Sequence, residues 1–232
     1  MTIFSLEGRT AVVTGSSRGI GFSIAQSLAE HGANVVISSR REEACIKAAQ
    51  KINDVVGRNA AVAIRADIGN RDDVFQLMDK SKEALGDISI VVCNAASSPH
   101  FGPFSEIEDD QFRKTLENNI LANHWLVQAA LPHMDETKSG SIILISSISA
   151  LKAYDSMGAY SVSKAAELQL TRSYAQELAP RNIRVNAICP GVIETDFSKG
   201  PLSVPKIRKQ YEDDTLLNRI GRPDELSGAA VF

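Results

Sequence analysis

Tyr160 and Lys164 stand four residues apart in Ala159–Leu178, a stretch whose pattern predicts a helix. Helical geometry puts both side chains on one face, a turn apart. An ammonium then lies beside a phenol. A free phenol has a pKa of about 10 and carries protons poorly at neutral pH. A fixed cation about 4 Å away, at an effective dielectric of about 20, favours the phenolate by roughly 4 kcal/mol before desolvation. That is up to about three pKa units, enough to bring a tyrosine into range for acid–base chemistry. The same pair also suits a half-buried core tyrosine beside a solvated lysine.

A second chemical element opens the chain. Thr10–Thr14 is a short apolar run rich in β-branched residues and predicts a buried strand. Gly15, Gly19 and Gly21 follow, and Ile24, Ala25, Leu28 and Ala29 then recur at helical spacing. Strand, glycine turn and helix make a dinucleotide-binding arrangement, in which the helix N-terminus offers free N–H groups to a pyrophosphate. The spacing is Gly-x3-Gly-x-Gly, and no Walker Gly-Lys-Ser/Thr occurs. A plain strand-to-helix connection also uses glycine.

Together these motifs resemble the classical short-chain dehydrogenase/reductase family, whose signatures are Thr-Gly-x3-Gly-x-Gly near the start and Tyr-x3-Lys near the middle. The resemblance runs from about Leu6 to Phe232. It implies Ser147, thirteen residues before Tyr160, as the catalytic serine; a strand-end cap is the other reading of Ser147, a place Ser146 could equally take. It implies Asn119 as the catalytic asparagine, with Asn118 its competitor. A buried helix asparagine satisfying backbone groups suits Asn119 equally. The family's Asn-Asn-Ala-Gly element appears as Cys93-Asn94-Ala95-Ala96, a departure at two positions. Pro190, Gly191, Ile193 and Thr195 match the segment that contacts nicotinamide. Asp67 and Ile68 match the adenine contact, although Asp67 also suits a helix cap. The resemblance thus implies Asn119, Ser147, Tyr160 and Lys164 as catalytic. It implies Gly15, Ser17, Arg18, Gly19, Ile20, Gly21, Ser39, Arg40, Asp67, Ile68, Asn94, Tyr160 and Lys164 as cofactor-binding, with the Pro190–Thr195 positions. Lys164 would hold the nicotinamide ribose, and Asn119 a water linking Lys164 to solvent.

The cofactor is legible at the second strand. An acidic residue there bonds the ribose 2′-hydroxyl of NAD, whereas arginine accepts the 2′-phosphate of NADP. This chain reads Ser38, Ser39, Arg40, Arg41. Ser39 stands where an NAD-preferring member carries aspartate, and Arg18 lies in the glycine turn. Guanidinium groups bind phosphate bidentately, so NADP is expected. Arg40 and Arg41 as solvated residues opening a helix is the other reading.

Strand-like and helix-like segments alternate throughout. Strands are predicted at Thr10–Thr14, Asn34–Ser38, Ala60–Ala66, Ile88–Cys93, Ser141–Ser146 and Arg184–Cys189. Helices are predicted at Gly19–His31, Glu42–Val56, Arg71–Leu85, Asp110–Met134, Ala159–Leu178 and Val204–Thr215. Alternation of this kind predicts an α/β fold: a Rossmann-like, doubly wound parallel sheet with helices on both faces. A single domain over 1–232 is expected. The stretch from Asp196 to Tyr211, with Gly200, Pro201 and Pro205, reads as a mobile flap over the site. The chain stops at Phe232, inside an expected helix. The resemblance implies a further strand and tail, so truncation before them is expected.

Composition excludes other classes. The chain has 232 residues, 44% of them hydrophobic, enough for one large core. A net charge of −3, with no basic run beyond two residues, argues against a nucleic-acid partner. No apolar segment reaches membrane-spanning length, and the start lacks a signal peptide's pattern. Cys45, Cys93 and Cys189 are scattered, which suits reduced thiols and a cytoplasmic location. The four histidines share no ligand spacing, so no metal is expected.

These readings converge on an NADP-dependent oxidoreductase acting on a small carbonyl or alcohol, with Tyr160 as general acid and base. Within the resembled family a 3-oxoacyl-thioester reductase, a sugar dehydrogenase and a broad carbonyl reductase share the motifs. A non-catalytic dinucleotide-binding sensor or scaffold is the alternative outside enzymes. The resemblance also implies a homotetramer.

Overall fold

A computed structural model describes residues 3–137 and 139–232; Met1, Thr2 and Lys138 lie outside it. Six strands form one parallel sheet: β1 (Thr10–Thr14), β2 (Asn34–Ser38), β3 (Ala61–Ala63), β4 (Ile88–Cys93), β5 (Gly140–Ile145) and β6 (Ile183–Ile188). Their order across the sheet is β3-β2-β1-β4-β5-β6. Every residue of β1 and β4 is buried, because helices cover both faces of these central strands.

The two faces carry separate cores, and the strand period of two sorts the side chains between them. Val13, Val35, Ile37 and Val92 pack with α1 (Gly19–Glu30) and α2 (Glu42–Val56). Val12, Val36, Val91 and Leu144 face α3 (Arg71–Leu85), α5 (Ala122–Thr137) and α6 (Gly158–Leu178). The chain winds outward from β1 to β3, then returns to lay β4 on the other side of β1. That reversal opens a crevice beyond the carboxyl ends of β1 and β4, where doubly wound folds bind ligands.

Two expected elements change. The third strand was expected over Ala60–Ala66 but regular pairing with β2 covers only Val35–Ile37 against Ala61–Ala63. Ile64 and Ala66 still donate to the carbonyls of Ile37 and Ser39, so the chain stays extended at this sheet edge. The expected helix Asp110–Met134 divides into α4 (Asp109–Leu116), a π-helical turn (Glu117–Leu121) and α5. The flap is helical in part, with α7 (Lys199–Leu202) and α8 (Pro205–Asp213), and the chain ends in the short helix α9 (Ser227–Val231). Among the described residues no helix is long and apolar enough to cross a membrane.

Candidate active site

Gly15 and Gly19 adopt positive φ, 63° and 60°, which turns the chain sharply between β1 and α1. Helix α1 then begins with no side-chain cap and no acid in its first turn. Its first N–H groups are left for a ligand, and the arrangement fits a pyrophosphate. Asn94 at the end of β4 locks this turn by donating Nδ2 to the carbonyls of Thr14 (2.8 Å) and Gly15 (3.3 Å). A Cβ on Gly21 would meet that Nδ2 at 2.5 Å and the Gly15 oxygen at 2.8 Å. Gly21→Ala is therefore expected to cost about 1–3 kcal/mol, read as a lower Tm, because a packed amide and a backbone oxygen must both move.

A cleft of about 1040 Å³ runs from this turn across the carboxyl edge of the sheet. It gathers nearly every expected site residue: Ser17, Arg18 and Ile20 from the turn, Ser39 and Arg40 after β2, Asp67 and Ile68 after β3. Asn94, Ser147, Tyr160, Lys164, Pro190, Gly191, Ile193 and Thr195 line the rest. Gly21 and Asn119 do not reach the wall. Gly21 lies behind it against Asn94. Asp67 does not cap α3, since Asn70 accepts the Asp73 N–H at 3.1 Å and takes that place. The Asp67 carboxylate instead accepts from the Gly69 N–H at 3.0 Å. Arg18 forms an ion pair with Asp196 of the flap, both side chains being largely exposed.

Asn119 is fully buried in the π-helical turn. Its Oδ1 accepts from Ser97 N (2.8 Å), and its Nδ2 donates to Ser97 O (3.0 Å) and Ser163 Oγ (2.9 Å). Its side chain thus ties the loop after β4 to α6. Ser146 Oγ donates to the Lys164 carbonyl at 3.0 Å and holds α6 on β5. That leaves Ser147, whose Oγ lies 3.1 Å from Ser149 Oγ, facing the Tyr160 hydroxyl.

The charge pattern around Tyr160 departs from the sequence expectation. Lys164 is 2% exposed and its Nζ lies 5.5 Å from the Tyr160 ring centroid. The ammonium donates to both oxygens of Glu167, at 2.8 and 3.0 Å, and to the Ile145 carbonyl at 2.8 Å. Burial pushes the Tyr160 phenol above the ordinary tyrosine value; Lys164 pulls it down, and Glu167 pushes it up again. Lys164 therefore acts in the expected direction, but burial of the phenol outweighs it and the ammonium is itself paired with Glu167.

The Enoyl-(Acyl carrier protein) reductase family model matches residues 15–232. Human dehydrogenase/reductase SDR family member 2, mitochondrial, is 40% identical over 98% of this chain and 80% of its own length. The chain belongs to the classical short-chain dehydrogenase/reductase family. Solved structures agree. A putative gluconate dehydrogenase from Agrobacterium tumefaciens superposes with a TM-score of 0.95 at 31% identity, over 100% of this chain and 90% of that one. A gluconate 5-dehydrogenase from Burkholderia cenocepacia, in complex with NADP and tartrate, gives 0.93 at 32% identity over 99% and 89%. Short-chain dehydrogenase/reductases are oxidoreductases, so the coarse activity follows from membership.

The residue that the family motifs do not announce is Glu167. It is fully buried, between Lys164 and Asn123, whose Nδ2 donates to it at 3.1 Å. A signal existed in the sequence. The buried stripe of α6 runs Ser163, Lys164, Glu167, Thr171, Tyr174, so any helix that buries Lys164 also buries Glu167. Among the described residues no cluster of acids, histidines and cysteines has the makings of a metal site.

Proposed function

We propose that the protein interconverts a carbonyl and an alcohol using NADP(H), with Tyr160 as general acid and base. The observation carrying this reading is that Ser147, Tyr160 and Lys164 share one wall of a cleft whose far end is the glycine turn. The bound nicotinamide supplies or accepts the hydride. Tyr160 donates its proton to the carbonyl oxygen as charge builds there, and in oxidation its phenolate takes the proton back. Ser147 Oγ donates a hydrogen bond to the same oxygen and polarises it. Lys164 keeps a positive charge beside the ring.

Support for NADP comes from the end of β2. Ser39, Arg40 and Arg41 all line the cleft, and no carboxylate follows β2 until Glu42. The Burkholderia relative was solved with NADP. The substrate end is different in character. Segments 96–104, 149–157 and 196–211 bring Phe101, Tyr154, Met157, Phe197 and Tyr211 to the cleft, with Asp196 and several serines but no cation among their described lining residues. Phe197 lies against the Tyr160 ring, centroids 5.6 Å apart. Such a wall favours an uncharged, largely apolar carbonyl over a sugar acid, whose carboxylate would go unpaired.

The test is substrate-dependent NADPH oxidation across ketones, acyl thioesters, sugars and gluconate-type acids. Turnover of apolar ketones well above the acids is expected. No turnover with any of them would replace the enzyme with a non-catalytic dinucleotide binder. We also expect a homotetramer. Leu121 and Val162, on the π-helical turn and α6, are 40% and 45% exposed, an apolar face suited to a partner copy. Sedimentation showing only monomer at micromolar concentration would contradict this.

A further inference from the structure

Among the described residues that line the cleft, Asn118 alone buries a side-chain polar atom with no hydrogen-bond partner. It sits on the π-helical turn and is 8% exposed. Its Nδ2 donates to Ser97 Oγ at 2.9 Å, but its Oδ1 has no donor. The loop does not need that bond to stay in place, because Asn119 already holds the Ser97 backbone through both its N–H and its carbonyl. Burying an acceptor without a donor destabilises a fold, and a leucine of similar shape would avoid the loss. Packing therefore gives no reason for the amide oxygen.

Gly69 shows where that oxygen points. A Cβ on Gly69 would meet Asn118 Oδ1 at 2.9 Å and Asp67 Oδ1 at 3.4 Å. Two acceptor oxygens thus converge where the chain leaves β3. The third neighbour of that spot is Lys114 Nζ, at 3.0 Å, the tip of an exposed side chain that changes rotamer freely. What meets these oxygens follows from the course of the cleft. With the nicotinamide beside Ser147 and Tyr160 and the pyrophosphate at the glycine turn, the adenosine half extends over β1, β2 and β3. Its ribose belongs at Ser39 and Arg40 after β2, and its base beyond, at Asp67 and Ile68 after β3. The exocyclic amine is the one donor group on the edges of adenine, and it carries two hydrogens.

We propose that Asn118 reads the adenine base of the cofactor, its Oδ1 accepting one hydrogen of the exocyclic amine beside the Asp67 carboxylate. The inference rests on the dinucleotide-binding reading and deepens it. A base with a carbonyl in place of the amine would set oxygen against oxygen, so the site refuses it. An acceptor left without a donor in the free protein gains one when the cofactor binds.

The probes are NADPH and its hypoxanthine analogue, in which a carbonyl replaces the amine. Binding is read from the fluorescence of the reduced nicotinamide, so neither substrate nor turnover is needed. The wild type should bind NADPH about tenfold or more tightly than the analogue. Asn118→Leu keeps the shape and removes the oxygen. It should weaken NADPH by about tenfold and leave the analogue nearly unchanged. Equal losses for both dinucleotides, or no loss for either, would overturn the proposal. So would a wild type that prefers the analogue, the result expected if the amide were turned with Nδ2 toward Gly69. Should the leucine variant not fold, Asn118→Ala removes the same oxygen and is read in the same way. A wild type that binds neither dinucleotide would remove the cofactor reading itself, a failure distinct from that of Asn118.

Discussion

Tyr160→Phe should lower kcat by roughly 10²–10⁴-fold, the share attributed to a positioned general acid. The substitution removes one oxygen and leaves the ring where it packs on Phe197. Cofactor affinity should hardly change, because the turn, α1 and the end of β2 are untouched. An interaction made only in the transition state lowers kcat and kcat/KM together, which separates this effect from lost binding. Retention of wild-type turnover would remove Tyr160 from the chemistry. The pH dependence has a definite sign. The phenol lies above its ordinary range in the folded protein, chiefly through burial. Reduction should therefore persist through neutral pH and fall only as the pH rises toward the phenol's ionisation. Oxidation should rise over that same interval.

The fold was legible wherever both faces of an element are buried. β1, β2 and β4 begin and end where the apolar runs do, because central parallel strands must be apolar on both sides. At the sheet edge β3 has a partner on one side only, and its apolar run outlasts its ladder. The π-helical turn was not legible, and the side-chain contacts made from it are tertiary. Asn119 is held by Ser97 and Ser163, residues 22 and 44 positions away, and no local period encodes that.

The site was legible as a set of positions and less so as a charge balance. The motifs brought Ser147, Tyr160 and Lys164 to one wall, as expected of side chains on a strand end and one helix face. Coulomb's law applied to Tyr160 and Lys164 gave the right sign for that pair but not the balance of the site. It omitted desolvation, which depends on packing, and Glu167, which the same helical spacing places beside Lys164. A carboxylate at i+3 from a lysine on a buried face should be included before any such site is given a charge balance.

Ser39→Asp combined with Arg40→Ile should reverse the cofactor preference from NADPH to NADH. Arg40 and Ser39 line the cleft where the sheet ends at β2, and Arg18 lies across from them in the glycine turn. A guanidinium bonded to a phosphate contributes roughly 1.5–3 kcal/mol, or about tenfold or more in affinity for each contact. Arg18 is paired with Asp196, but both side chains are largely exposed. Such a pair is worth little and would yield to a phosphate dianion. Replacing Arg40 removes one contact. Placing aspartate at 39 does more, because its charge repels a 2′-phosphate yet accepts a hydrogen bond from a bare ribose hydroxyl. The loss for NADPH and the gain for NADH then come from the same group, so preference should invert and not merely fade. The measurement is kcat/KM for both cofactors in the wild type and the double variant. A wild type that already prefers NADH, or a double variant that still prefers NADPH, would show that Ser38–Arg41 does not read the 2′ position.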